Sequence, residues 1–146
     1  RYNAEKNKSR DFTETIEKTS LLLKYSRGKK FILISSISCR TQLHLSYGQH
    51  RKACELMALS HGATVIRLGP MFGGARTLDT LHNILSNEPV YVAKETKYAY
   101  TDVSWCANKI IEIIQDKKQG IIELLAIVTS SGSDIGDRRL PVAATR

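Results

Sequence analysis

Several things are scarce in this chain, and each scarcity removes a class of function. Its three cysteines (Cys39, Cys54, Cys106) are odd in number and show no C-x-x-C spacing, so neither a disulfide framework nor a zinc site is indicated. Cys54 and Cys106 fall among apolar helix positions and read as small core residues. Free thiols of this kind suit a reducing, cytoplasmic setting. No apolar run approaches the roughly 20 residues that cross a bilayer. Phe31–Ile34 and Ile121–Val128 are strand-length. The polar opening Arg1–Arg10 resembles neither a signal peptide nor a translation start, and reads as a cut or processed end. The net charge of +8 raises the question of nucleic acid. Its lysines and arginines are scattered in pairs such as Lys29-Lys30 and Arg138-Arg139, with no basic helix face interleaved with aromatics. Solvated surface charge is the simpler reading, and nucleic acid is not the expected partner.

What is present is an alternation of helix and strand. Asp11 and Glu14 form a capping-box pattern, with Phe12, Ile16, Leu22 and Leu23 as the expected buried stripe and Gly28 as the stop. Phe31–Ile34 reads as a strand buried on both faces. Ser46 and Gln49 predict a second capped helix that buries Ala53, Leu56 and Met57 and ends at Gly62. A strand over 63–68 follows, broken by Gly69-Pro70. A third helix carries Leu78, Leu81, Ile84 and Leu85 and closes at Asn87 and Pro89. Val90–Val92 and Tyr98–Tyr100 suggest a small hairpin, Asp102 caps a fourth helix, and Ile121–Val128 is a last strand. Short connections between alternating elements predict right-handed crossovers and a parallel sheet. Residues 1–128 form one unit, and 129–146 a polar, loosely held tail.

Four pieces stand in a telling order. A strand ends in Ser35-Ser36; Tyr47-Gly48-Gln49-His50-Arg51-Lys52-Ala53-Cys54-Glu55 opens a helix; Arg67-Leu68-Gly69-Pro70-Met71-Phe72-Gly73 follows the next strand; and Tyr100-Thr101-Asp102-Val103 enters the fourth helix. Each is weak alone. Together, over most of 12–128, they resemble the second half of the extended short-chain dehydrogenase/reductases, the epimerase and dehydratase type. The resemblance implies a partial Rossmann-like, doubly wound α/β fold whose ligands lie beyond the carboxyl ends of the strands. It also implies that the first, nucleotide-binding half is absent, because no G-x-G-x-x-G or G-x-x-G-x-x-G turn occurs anywhere.

The tyrosine has a physical case of its own. At the first turn of a helix, unsatisfied N–H groups favour an anion, and so a phenolate at Tyr47. Arg51, one turn later on the same face, brings a positive charge to it. Such a phenolate can remove a proton from a substrate hydroxyl, or return it. By resemblance Ser36 holds the same substrate oxygen, with Ser38 as the alternative. Ser35, Tyr47, Arg51, Gly69 and Pro70 then border NAD or NADP, and Ser38, Arg67, Phe72 and Gly73 border the substrate, a nucleotide sugar or related hydroxyl or carbonyl compound. Two features depart from the family pattern. Arg51 stands where lysine is usual, with Lys52 about 100° further round the helix. The segment Cys39–Ser46 replaces a longer substrate-side loop. A non-catalytic NAD(P)-binding or regulatory relative is the alternative function. A homodimer is left open, and the four histidines (His44, His50, His61, His82) show no metal spacing and no evident acidic partner.

Overall fold

A computed structural model describes residues 4–74, 80–89 and 99–125. The chain opens with a helical run, α1 (Lys8–Phe12), a π-turn (Thr13–Glu17) and α2 (Lys18–Tyr25). Then come β1 (Ile32–Ser36), the single turn α3 (Ser38–Thr41), α4 (Ser46–Ser60) and β2 (Thr64–Leu68). The short β3 (Met71–Phe72), α5 (Thr80–Leu85), β4 (Thr101–Asp102), α6 (Val103–Gln115) and β5 (Ile121–Leu124) complete the described elements.

β1, β2 and β5 form one parallel sheet in that order, with Ile34 beside Ile66 and Ile66 beside Ile122. Strand side chains alternate between faces, and two cores follow from that alternation. On one face Leu33, Val65 and Ile121 pack with Ala58 and Leu59 of α4. On the other, Ile32, Ile66, Ile122 and Leu124 pack with Ile110 and Ile113 of α6. Helices cover both faces, as a parallel sheet requires. The strands advance in one direction while α4 and α6 lie on opposite faces, so the two crossovers cannot share one hand. The expectation of uniformly right-handed crossovers therefore fails for one of them. The long excursion over 69–120 relaxes the packing constraint that fixes the hand of short connections.

Gly62 leaves the end of α4 with φ 73° and Asn87 follows α5 with φ 54°, as their positions suggested. Asp102 caps α6: its Oδ1 accepts the Trp105 N–H at 2.8 Å. The last strand stops at Leu124, and no strand runs through Ala99-Tyr100. Instead β4 pairs parallel to β3, Met71 beside Thr101. Leu78, most of the expected hairpin (90–98) and the tail lie outside the described residues.

Four further sequence expectations are corrected. The first helix begins at Lys8, so Asp11 is a buried interior residue and not a cap. Its buried stripe is Asp11, Thr15, Thr19 and Leu23, while Phe12 and Leu22 are exposed. The stripe recurs at every fourth residue and leaves both Phe12 and Leu22 off it. The polar stripe is tolerated because its groups are satisfied. Thr15 Oγ1 donates to the Asp11 carbonyl at 2.5 Å, and the Asp11 carboxylate meets His50 Nδ1 at 2.6 Å. His50 is therefore half-buried and paired, contrary to the reading of a histidine without an acidic partner. Finally, α4 buries Gly48, Cys54, Glu55 and Ala58, leaving Leu56 exposed.

Gly48 shows how closely the site-bearing helix is seated. A β-carbon there would overlap the Gln42 carbonyl oxygen and come within 2.7 Å of the Ser38 carbonyl oxygen. Gly48→Ala must therefore push α3 and α4 apart. A loss of about 3 kcal/mol is expected in urea unfolding, the upper end for overpacking.

Candidate functional site

The carboxyl ends of β1 and β2 carry the residues singled out by sequence. Ser36 closes β1, and its Oγ lies 3.2 Å from both the Ser38 backbone N–H, which donates to it, and the Ser38 hydroxyl. The two serine candidates thus share one turn. α3 follows directly, and Gly48 rests on its carbonyls. Tyr47, one residue earlier, therefore enters α4 beside this Ser36–Ser38 turn. The segment Cys39–Ser46, expected as a shortened loop, is partly the helical turn α3.

The capping box predicted for α4 does not form. Leu45 is the extended residue before the helix, Ser46 is already helical, and Gln49 Nε2 donates to the Leu43 carbonyl. The anion at this helix end is Glu5, whose Oε1 accepts the Tyr47 N–H at 3.0 Å. Arg51 does reach the tyrosine, with its guanidinium carbon 5.1 Å from the ring centroid in a cation–π contact. Arg51 Nε is buried and has no hydrogen-bond partner among the described residues.

Beneath this turn lies a polar layer that crosses the whole sheet. Ser35, Arg67 and Glu123 are register neighbours on β1, β2 and β5, and all face α4. α4 lowers Glu55 onto them. Glu55 accepts Arg67 Nε at 2.9 Å on one oxygen and a terminal guanidinium nitrogen at 2.7 Å on the other. Ser35 Oγ and Cys39 Sγ also donate to Oε1, at 2.7 and 2.9 Å. Arg67 reaches on to Glu123 at 2.9 Å, and Arg40 of α3 meets Glu123 at 3.2 Å. Burial opposes a charge on Glu55, but the bonds from Arg67, Cys39 and Ser35 outweigh it and hold the carboxyl below its ordinary range. The bond to Glu55 is the chief reason the Arg67 guanidinium is held charged even more firmly than usual. Burial and then the Glu55 hydrogen bond push the Cys39 thiol up to about 11, which makes it unreactive at neutral pH.

Ser35 and Arg67, expected beside cofactor and substrate, thus turn their polar atoms into the protein interior. Glu55, Glu123 and Cys39 were not recognised as members of the site. The available signal was a glutamate in a helix and an arginine in a strand, both at positions patterned for burial, since such charges are buried only when paired. Gly69 and Gly73 border the loop beyond β2. At Gly69 a β-carbon would meet a Leu125 methyl at 2.8 Å; at Gly73 (φ 90°) it would meet Asp102 Oδ2 at 2.8 Å. Pro70 accepts the Thr101 N–H at 2.9 Å, and Phe72 is exposed. Among the described residues no cluster of three or more His, Cys, Asp or Glu could hold a metal, and no helix is long and apolar enough to cross a membrane.

Removing Glu55 leaves a buried guanidinium without its main partner. Glu55→Gln should cost about 3–5 kcal/mol in urea unfolding. Its pH dependence has a definite sign. The folded carboxyl titrates below the unfolded one, near 4.3, so its stabilisation is complete above that value and is lost as pH falls through the folded value. Acid unfolding of Glu55→Gln should show a correspondingly shallower slope below about pH 4.

No family model matches this sequence, and no curated protein sequence is similar to it. The fold does match. A crystal structure of UDP-galactose 4-epimerase superposes with a TM-score of 0.62 at 14% identity, over 79% of this chain and 48% of that chain. The chain spans about half the length of that epimerase. At this identity the likeness concerns the fold alone: an epimerase-like, partial Rossmann sheet with helices on both faces.

Proposed function

We propose that this chain is the catalytic half of an NAD(P)-dependent epimerase, dehydratase or reductase acting on a nucleotide sugar or a related hydroxyl or carbonyl compound. The single supporting observation is that Gly48, the residue after Tyr47, seats the start of α4 on the Ser38 carbonyl just beyond the carboxyl end of a parallel strand, with Arg51 over the Tyr47 ring. Ligands of doubly wound sheets lie at that end.

In this reading Ser36 donates a hydrogen bond to the substrate oxygen and Tyr47 exchanges a proton with it, as base in one direction and acid in the other. Arg51 presents its guanidinium over the phenol ring. The unpaired Arg51 Nε fits an oxygen acceptor beside the phenol, such as a ribose hydroxyl. Nothing in this sequence fits a pyrophosphate, because β1 runs into Ser35-Ser36 and β2 into Gly69-Pro70 with no glycine-rich turn. The residues present therefore suit the nicotinamide end of a dinucleotide only. A nicotinamide, when bound, supplies the hydride acceptor.

A second reading, a non-catalytic relative that keeps the fold for binding or regulation, draws on Glu5, whose carboxylate already occupies the amino end of α4. Turnover separates the two. Tyr47→Phe should lower kcat by about 100-fold or more. Turnover that survives this substitution would remove the proton-transfer role. Dinucleotide binding with no turnover of sugar nucleotides or carbonyl compounds would favour the second reading.

A further inference from the structure

We infer that the end of the molecule opposite the candidate site is a docking surface for an anionic membrane leaflet. Cations that are scattered along the sequence are gathered there by the fold. In a parallel sheet the connections into the strands all arrive at one end, and here they are 26–31, 61–63 and 116–120. They carry Arg27, Lys29, Lys30, Lys117 and Lys118 against a single acid, Asp116. Hydrogen bonds tie them together. Thr64 N–H donates to the Phe31 carbonyl at 3.1 Å, and the Thr64 hydroxyl donates to the Lys118 carbonyl at 2.8 Å. Lys30 Nζ crosses to the Ile114 carbonyl at 3.0 Å. Neighbouring strands lie about 4.8 Å apart, so the two outer connections are about 10 Å from each other. That distance is about one screening length at physiological salt, and the charges act on a partner as one field.

Local structure accounts for only part of this charge. Lys30 satisfies the carboxyl end of α6, and Lys118 pairs with Asp116 at 3.3 Å. The side chains of Lys24, Arg27, Lys29 and Lys117 are exposed and meet no carboxylate among the described residues. What favours a lipid surface over nucleic acid is the apolar area among these cations. Tyr25, between Lys24 and Arg27 in the chain, is 72% exposed, and Ile114, whose carbonyl holds Lys30, is 43% exposed. Nucleic acid is held through its phosphates and by successive aromatics along a basic groove. The three connections offer Phe31 as their one Phe, Tyr or Trp. A leaflet uses both features, since apolar side chains enter the headgroup region while cations meet its anionic lipids. Docked in this way the chain lies on the leaflet without spanning it, and the carboxyl ends of the strands point away. The inference rests on the distribution of charge and not on the proposed reaction.

The test is cosedimentation of the purified protein with vesicles. Phosphatidylcholine containing roughly one quarter phosphatidylserine should bind it about tenfold or more tightly than phosphatidylcholine alone. Arg27→Gln, Lys29→Gln and Lys117→Asn should each weaken that binding about fivefold. Tyr25→Ser should weaken it by roughly a few-fold. Lys8→Gln should change nothing, because Lys8 lies near Glu5, which meets the amino end of α4 at the other end of the molecule. If a variant does not fold, amine acetylation of the unaltered protein decides: Lys29 and Lys117 should be protected on the vesicles while Lys8 is not. Equal binding to both vesicles, no binding to either, or binding that the three cation variants leave unchanged would overturn the inference. So would tighter binding to a short double-stranded RNA, weakened by the same variants, which would assign the surface to nucleic acid.

Discussion

The bond between Glu55 and Arg67 organises this molecule. A carboxylate and a guanidinium are both enclosed, and each is affordable only because the other is there. The geometry that satisfies them is demanding: two parallel contacts from Arg67, a hydroxyl from β1 and a thiol from α3 all converge on one carboxylate. Strands β1 and β2 and helices α3 and α4 therefore cannot shift independently. Glu123 extends the constraint to β5 through Arg67, and back to α3 through Arg40.

This layer also marks a boundary within the sheet. Below it the strand side chains are aliphatic and pack into two cores. Above it the strands give way to turns bearing hydroxyls, a tyrosine and glycines. A polar layer at that level fixes the position of the strand ends and of α4 beneath the candidate residues. The tight seating of Gly48 on α3 serves the same end from the side, because it sets where Tyr47 enters α4.

The helical run from α1 to α2 is held against α4 differently. Its seam includes Asp11, Thr15 and His50, and its outward face includes Leu21, Leu22 and Tyr25. Polar groups inside and apolar groups outside reverse the usual arrangement of a surface helix. The interior groups are tolerated because hydrogen bonds satisfy them.

By itself the sequence determined the order and type of most elements, the cap at Asp102 and the stop at Gly62, because these depend on local backbone preferences and on nearest neighbours. It also brought Tyr47, Arg51 and the Ser35-Ser36 strand end into view, since their spacing on one helix and one strand end is a matter of geometry along the chain. Only the tertiary structure decided which face of the first helix is buried, since that face is set by its contact with α4, where Asp11 meets His50. It alone gave His50 its carboxylate, Tyr47 its distant Glu5, and Arg67 and Ser35 an inward role through Glu55. Those outcomes rest on pairings between residues far apart in sequence, where desolvation of one charge is offset by another, and no local pattern records such a partner.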